Sequence, residues 1–543
     1  MKHFETFQTA KGKKYVFYIF MCNNICKILL LYFISQRIET IKLNKNISFK
    51  TDSIKDIGLN PGHNIIYDRD TAFSDENVIT PLLDALEKYK NSPCTGFHIP
   101  GHNRGEGVLK RFQNLIGEDA LLLDTTDEFD SLGTLHPASG AIGDAMKLAS
   151  IAYNSKKTFF ITSGSTISNL AIAFGVVSPN DEIIVARNSH RSVITGMMIS
   201  GANPKWLMPK LLDDWSIFGA IEAEELENQL NLKPNTKFVW VVNPTYEGMI
   251  SDIKKMAEIC QKHNVPLIVD EAHGSLWNFS DELPTSALEL GADAVVHSLH
   301  KTGGSMTQSS MLHISKNSKL DIHKIEHALK LLHTTSPSIL LLASLDAARG
   351  HLGSENGQRL IKRAIENAKY FRREAKNIKN LSVLGEDDGV KFDVTKIFIK
   401  MKGLSGKRLE SILELDFNIE IESASDEGVL ILSNIGNTRE EFEYLIKALK
   451  AISVREYPDI CHLEGKKYMP LMEPVIVMNP REAYFAPKKL VKIEEAVGRI
   501  SAEVIALCPP GISVLLPGEI IHKEHLPYLS DFSEIEVIDN IEE

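Results

Sequence analysis

The sequence predicts an α/β fold in which a mainly parallel, seven-stranded sheet lies between helices, followed by a smaller α+β domain. Two observations predict it. Between residues 158 and 314, short apolar runs typical of strands alternate with segments of helical periodicity, which is the pattern of βαβ units. After the long helical stretch Gly357–Ile378 the elements become shorter. In such a fold we expect ligands at the carboxyl ends of the parallel strands.

The elements follow in order from their periodicity and length. A first helix is predicted at Thr80–Tyr89. The seven predicted strands are Thr158–Thr162, Glu182–Ala186, Lys205–Met208, Lys237–Val242, Pro266–Val269, Ala294–Ser298 and Ser310–Ile314. The helices expected between them are Thr166–Val177, His190–Ser200, Ile221–Leu230 and Ile253–His263. Beyond them we predict strands Val394–Met401 and Gly428–Leu432 and a helix Arg439–Ile452.

We divide the 543 residues at positions 67 and 380. Residues 1–67 are predicted to be a disordered extension, 68–380 a major domain and 381–543 a small C-terminal domain. The alternative for the amino terminus is a signal sequence or membrane anchor, because Tyr15–Ser35 is mostly apolar. Polar residues and Lys27 interrupt this run at its centre, where charge is costly in a bilayer.

Composition restricts the classes of partner. The formal net charge is -11, and the first fifty residues carry nine Lys or Arg against two Glu, so the remainder is strongly acidic. An acidic body disfavours nucleic acid and is compatible with a cationic substrate, although solubility alone also explains it. Six scattered cysteines with no CxxC pair predict a reducing, cytoplasmic environment with neither a disulfide framework nor a metal site.

Two residues at predicted strand ends point to a cofactor. Asp270 ends an apolar strand, and Lys301 follows the next strand. A carboxylate at a sheet edge can keep a pyridine nitrogen protonated, and a lysine nearby can form a Schiff base. This pair suggests pyridoxal phosphate, although a strand ending in Asp is common and most lysines are solvated.

A phosphate site is predicted between the first strand and its helix. Gly164, Ser165 and Thr166 form a small, hydroxyl-rich turn at a helix amino terminus, where free N–H groups favour an anion. An ordinary helix N-cap is the alternative interpretation. Ser298 and His300 can add a hydroxyl and an imidazole.

Two further residues are candidates for the same sheet edge. His190 opens a helix and can stack on a cofactor ring, although an isolated histidine there is more often a surface or capping residue. Thr245 follows another predicted strand, and its alternative interpretation is a proline turn.

With these motifs in place, the chain resembles the prokaryotic ornithine/lysine/arginine decarboxylases, which are fold-type I pyridoxal-phosphate enzymes. The resemblance extends over most of the chain from about residue 80. The motifs that carry it are Phe97–His102, Thr162–Thr166, Asn188–His190, Asn243–Gly248, Asp270–Gly274, Ser298–Lys301, Thr334–Pro337, Pro509–Ile512 and Pro517–Glu519.

The resemblance implies a role for each residue. Lys301 would be the Schiff-base lysine, Asp270 the partner of the pyridine nitrogen, and His190 and Ala272 the residues on either face of the ring. His273, in the Asp270–Gly274 motif, joins the cofactor-binding residues. The phosphate would be held by Gly164, Ser165, Thr166, Ser298 and His300, and by Thr335 and Ser336 of the other subunit of a homodimer or larger oligomer.

The expected activity is decarboxylation of lysine, arginine or ornithine to an amine and CO2, as in polyamine or diamine synthesis. Lys301 or His300 would return a proton to Cα, and Glu519 or Glu482 would neutralise the distal cation. The chain looks like the shorter branch of the family, without a receiver-like amino-terminal domain. An aminotransferase or another pyridoxal-phosphate lyase is the main alternative, and a non-catalytic binding module is the third.

Overall fold

A computed structural model describes residues 6–8, 14–16, 78–455, 471–507 and 512–539. The predictions for residues 1–67 lie almost entirely outside the described residues. Thr6–Gln8 and Lys14–Val16 form an antiparallel pair in one unit of the chain, residues 1–60. The second unit, residues 61–543, holds the rest of the described structure. No helix in the described ranges combines the length and apolarity needed to cross a bilayer.

The predicted seven-stranded sheet is confirmed. Its strands are, in spatial order, Lys157–Ile161, Ser310–Ile314, Ala294–His297, Leu267–Asp270, Val239–Val242, Glu182–Ala186 and Asn203–Leu207. Only Ser310–Ile314 runs antiparallel to its neighbours. The helices that cover this sheet are Gly140–Ala152, Gly164–Val176, Arg191–Ser200, Ala223–Leu232, Ile253–Lys262, Ile322–Leu332 and Ile339–Gly353.

The strands are apolar throughout because both faces of the sheet are buried. Successive side chains point to opposite faces, so Val296 packs in one hydrophobic cluster and its neighbour Val295 in the other. Polar residues begin where the strands end. Asp270 closes one strand, and Arg187 and Ser298 follow two others.

The remaining helices of this unit frame the sheet or lead into the small domain. Before the sheet lie Pro81–Asn91, Lys110–Ile116 and Glu118–Leu123, and the long helix Glu355–Ala375 follows it. A four-stranded antiparallel sheet then contains Leu381–Val383, Lys396–Met401, Val429–Leu432 and Ser423–Ala424, with helices Gly406–Phe417 and Arg439–Ser453. This sheet and its two helices confirm the predicted smaller α+β region.

The last part of the described chain is built from two antiparallel pairs. Strand Lys488–Lys492 pairs with Glu534–Ile538, and Ile505–Leu507 pairs with Ile512–Leu515. Short helices Pro480–Phe485 and Leu526–Leu529 accompany them. The domain boundaries at residues 67 and 380 stay a prediction.

Candidate active site

A cavity of about 960 Å3 opens at the carboxyl ends of the parallel strands and collects most of the predicted site residues. Its wall contains Gly164, Ser165, Thr166, His190, Thr245, Asp270, Ala272, His273, Ser298, His300 and Lys301. Thr335 and Ser336 do not line it and are exposed. A larger groove of about 1180 Å3, near residues 381–400, contains none of the predicted site residues.

Asp270 is buried at the end of its strand and is fixed by two hydrogen bonds. The side-chain amide of Asn169 donates to Oδ2 at 2.9 Å, and the backbone N–H of Ala272 donates to Oδ1 at 3.2 Å. Asn169 also donates to the Ser192 hydroxyl at 2.9 Å. These two donors fix the orientation of the carboxylate, so Asp270 is placed to accept a hydrogen bond from a cation or a protonated ring nitrogen.

His190 caps the helix Arg191–Ser200. Its Nδ1 accepts from the backbone N–H of Ser192, at 3.2 Å, which places the proton of the neutral ring on Nε2. Burial lowers the pKa of His190, and Asp270 partly offsets this effect. His190 thus caps this helix and lines the cavity, and its stacking on a cofactor ring stays a prediction.

The turn at the start of helix Gly164–Val176 is lined with hydroxyl groups. Gly164 adopts a φ of +74°, and the hydroxyls of Ser165 and Ser298 lie 2.5 Å apart. His300 donates from Nδ1 to the carbonyl of Ser309 at 2.8 Å. Burial lowers its pKa. The backbone N–H of Gly164 donates to the Gln308 carbonyl at 2.8 Å. The hydroxyls and the following amides of this helix amino terminus are therefore the groups suited to bind a phosphate.

Lys301 lies on the same wall with its amine against an imidazole. Its Nζ is 3.0 Å from Nε2 of His273. Burial is the largest cause of a lowered pKa for Lys301, while Asp270 and Glu422 act in the opposite direction. A lysine with a lowered pKa has more of the neutral amine that attacks a carbonyl carbon.

Two carboxylates that sequence reasoning missed complete the wall, Glu247 and Glu422. Glu422 comes from the small sheet and accepts a hydrogen bond from the Tyr246 hydroxyl at 3.1 Å. Burial raises the pKa of Glu247. Glu247 lies in the motif Asn243–Gly248, so the sequence contained a signal that could have identified it. For Glu422 no local signal exists.

The expectation for the distal carboxylate is wrong for Glu519. Its carboxylate is buried and receives both terminal nitrogens of Arg187, at 2.6 and 2.8 Å. Glu482 lies in the short helix Pro480–Phe485, and neither glutamate lines the cavity. Among the described glutamates, Glu247 and Glu422 line it instead.

The donor set fits pyridoxal phosphate. One cavity combines a hydroxyl-lined helix amino terminus, a fixed carboxylate at Asp270 and a primary amine at Lys301. These groups match an anion, a basic ring nitrogen and an aldehyde, respectively.

Family models and characterised relatives match most of the chain. The family model of the Orn/Lys/Arg decarboxylase major domain matches residues 80–398, and that of the C-terminal domain matches residues 462–540. The chain is 36% identical over 458 residues to an arginine decarboxylase of Bacillus subtilis, covering 83% of this chain and 93% of that protein. It is 25% identical to the lysine decarboxylase LdcA of Pseudomonas aeruginosa, covering 81% and 74%.

Solved structures share the fold. The Francisella novicida lysine decarboxylase LdcF superimposes with a TM-score of 0.75 at 22% identity, covering 85% of this chain and 82% of that chain. The constitutive lysine decarboxylase of Escherichia coli gives a TM-score of 0.73 at 20% identity, covering 86% and 82%.

Proposed function

This chain belongs to the Orn/Lys/Arg decarboxylase family, and we propose that it decarboxylates a basic amino acid, with L-arginine as the preferred substrate. The observation that carries the proposal is one cavity that holds Lys301, Asp270 and two further carboxylates, Glu247 and Glu422. The choice of arginine is supported by the 36% identity to an enzyme of that name. We further infer a cytoplasmic homodimer or larger oligomer that acts in polyamine or diamine synthesis.

Pyridoxal phosphate is the cofactor that the family and this donor set imply. When bound, it supplies an electron sink for the electrons of the bond between Cα and the substrate carboxylate. Asp270 would hold a proton on the ring nitrogen, and Asn169 keeps the Asp270 carboxylate oriented toward the cavity. Ser165, Thr166 and Ser298 would hold the phosphate.

Two groups of the cavity wall are suited to move a proton. Burial lowers the pKa of the Lys301 amine, which makes it easier for this amine to release a proton. His300 is the second candidate, because its Nδ1 donates to Ser309 and its Nε2 is left to exchange a proton. Returning a proton to Cα completes the amine product.

Glu247 and Glu422 are suited to bind the distal cation of the substrate. A buried guanidinium or ammonium group needs a carboxylate partner, since burial of an unpaired charge is costly. Both residues lie on the same cavity wall, and the Tyr246 hydroxyl orients Glu422. A guanidinium can use both oxygens of a carboxylate.

The primary test is an assay of CO2 release from arginine, lysine and ornithine by purified protein with pyridoxal phosphate. We expect release from a basic amino acid, fastest from arginine, and its loss in Lys301→Ala. An exposed lysine serves as the control, so Lys262→Ala should keep full activity. Amino-group transfer to a keto acid without CO2 release would contradict decarboxylation, and unchanged activity in Lys301→Ala would contradict the assignment of the lysine.

The substrate subsite is tested by Glu422→Gln. Loss of one charge-assisted contact should raise KM for arginine about tenfold or more. Glu420→Gln, an exposed glutamate outside the cavity wall, is the matched control and should leave KM unchanged. An unchanged KM in Glu422→Gln would remove this residue from the subsite.

The proposal that the site is shared between subunits rests on the family motif Thr334–Pro337. Thr335 and Ser336 are exposed and do not line the cavity of their own subunit. Mixing inactive Lys301→Ala chains with inactive Thr335→Ala/Ser336→Ala chains should restore part of the activity, because each heterodimer contains one site with both an intact lysine and an intact donor pair. No recovery in heterodimers shown to form would contradict the shared site.

A further inference from the structure

His273 lies between two lysine side chains. Its Nε2 is 3.0 Å from Nζ of Lys301, and its Nδ1 is 2.9 Å from Nζ of Lys396. Lys396 is the first residue of strand Lys396–Met401 in the small sheet and is 1% exposed. The small sheet therefore places a second amine behind the histidine that contacts the predicted Schiff-base lysine.

The turn that ends at Gly248 makes room for this amine. Gly248 has a φ of +102°, and a Cβ there would come within 2.7 Å of the Lys396 Cβ. The backbone N–H of Asp393 donates to the Gly248 carbonyl at 2.9 Å, which holds the two segments together. The close approach of the buried lysine is thus built into the backbone of both segments.

Hydrogen-bond counting restricts the proton content of the three groups. Burial and the two lysines keep the pKa of His273 well below its usual value, so the ring is neutral and has one N–H and one lone pair. An ammonium group can only donate. The ring can therefore accept from one lysine alone, and the other lysine must be a neutral amine that accepts from the ring.

The carboxylates near Lys396 offset its burial only in part. Asp393 raises the pKa of Lys396, but its hydrogen bonds come from Trp277 Nε1, at 2.8 Å to Oδ2, and from the Thr395 hydroxyl, at 2.6 Å to Oδ1. Glu247 and Glu422 face Lys396 from the cavity, and Lys301 opposes them with a like charge. Burial is the largest cause that lowers the Lys396 pKa, to about 7.

We propose that Lys396 is a positioning residue for Lys301, which accepts through His273 the proton that Lys301 must lose before its amine can act as a nucleophile. In the first state the Lys301 ammonium donates to Nε2, while Nδ1–H donates to the neutral Lys396 amine. In the second state Lys301 has given its proton to Nε2, and Nδ1 has given its proton to Lys396. Two protons have each moved by one step, the net result is the transfer of one proton from Lys301 to Lys396, and the three groups keep their summed charge.

This inference rests on the proposed role of Lys301, but its test needs no turnover. Full-length protein freed of pyridoxal phosphate is labelled with a trace of acetic anhydride across a pH series, and acetylation of Lys301 is measured by mass spectrometry. Acetylation follows the neutral amine, so its pH profile reports the protonation of Lys301. Adding pyridoxal phosphate should protect Lys301, which checks that the site is intact.

Two substitutions of Lys396 should affect the pH profile of Lys301 acetylation differently. Lys396→Met removes the acceptor, so Lys301 should keep its proton and acetylate about tenfold more slowly at pH 8. Lys396→Arg places a fixed donor at Nδ1, which leaves Nε2–H toward Lys301 and should make acetylation equal or faster. Lys400→Met, on the same strand and outside the cavity wall, should match the wild type.

A purely structural role for Lys396 would move both profiles alike, and this result would overturn the proposal. If Lys396→Arg does not fold, the Met variant decides alone, and a profile equal to that of Lys400→Met would overturn it. In active holoenzyme, Lys396→Met should also shift the acidic limb of kcat/KM to higher pH. The two proposals can fail independently. If Lys396→Met slows acetylation of Lys301 but the wild-type protein has no decarboxylase activity, the relay is supported and the proposed function is contradicted.

Discussion

Two cations are buried in this protein to the same extent, yet their surroundings differ. Arg187 and Lys396 are each 1% exposed. Arg187 donates two hydrogen bonds to the Glu519 carboxylate and a third to the Val514 carbonyl at 2.9 Å, and it lies 4.5 Å from the centre of the Trp206 ring. Lys396 contacts an imidazole nitrogen at 2.9 Å.

The difference separates a structural cation from a reactive one. A carboxylate partner stabilises the charge of Arg187, and this pair ties the end of strand Glu182–Ala186 to the C-terminal segment. Burial lowers the pKa of Lys396 to about 7, within the range where protons are exchanged, because nearby carboxylates offset it only in part and the group that Lys396 contacts is a neutral histidine. Burial alone therefore does not separate the two cations, whereas the partner in direct contact does.

The largest effect is expected when the structural cation loses its partner. Glu519→Gln leaves Arg187 buried without a neutralising charge and should lower the free energy of unfolding by about 3 kcal/mol or more. Urea denaturation followed by fluorescence measures it, with the exposed Glu524→Gln as control. A change no larger than that of the control would mean that Arg187 and Lys396 do not differ in the way described.

At Lys396, the second buried cation, we expect a substitution to raise the free energy of unfolding instead of lowering it. Lys396→Met replaces a buried amine by an apolar chain of similar length and should raise the free energy of unfolding at pH 7 by about 1–4 kcal/mol. The unfolded chain keeps the lysine proton up to about pH 10.5 and the folded chain releases it near pH 7, so wild-type stability should rise with pH between these values. The Met variant should lack this contribution. If the free energy of unfolding rises equally with pH in the wild type and in Lys396→Met, this prediction is contradicted.

The smallest effect is expected at a lysine that is paired but exposed. Lys262 and Glu227 lie 3.1 Å apart with side chains 69% and 37% exposed. Lys262→Met should change the free energy of unfolding by less than about 1 kcal/mol in either direction. A larger loss would show that exposed pairs in this protein act like the buried one, which would weaken the comparison.

Local patterns predicted the strands well, and the errors in the predicted strand bounds have physical causes. The strand predicted from Lys205 begins at Asn203, although Pro204 cannot donate to a sheet, because Asn203–Leu207 is an edge strand. The strand predicted from Val394 begins at Lys396, because the Asp393 side chain accepts hydrogen bonds from Thr395 and holds the preceding turn.

The candidate site could be predicted only where its residues lie in motifs at strand ends. Asp270, Ser298 and Lys301 follow apolar strands, so their common edge follows from the alternation of elements. Asn169 lies within an apolar helix. Lys396 is the first residue of a strand, and its local sequence looks like that of an exposed lysine. Their roles depend on contacts between distant segments, which no local pattern contains.

The position of Lys396 and Glu422 on the small sheet has a consequence for protein synthesis. A ribosome completes the segment with Asp270 and Lys301 well before it reaches strand Lys396–Met401 or Glu422. Domains form as units while the chain emerges, the amino-terminal one first. A nascent chain can therefore contain Glu247, Asp270 and Lys301 while it still lacks Lys396 and Glu422, so the proposed proton relay and the second carboxylate of the proposed substrate subsite are completed only when the small sheet has been made.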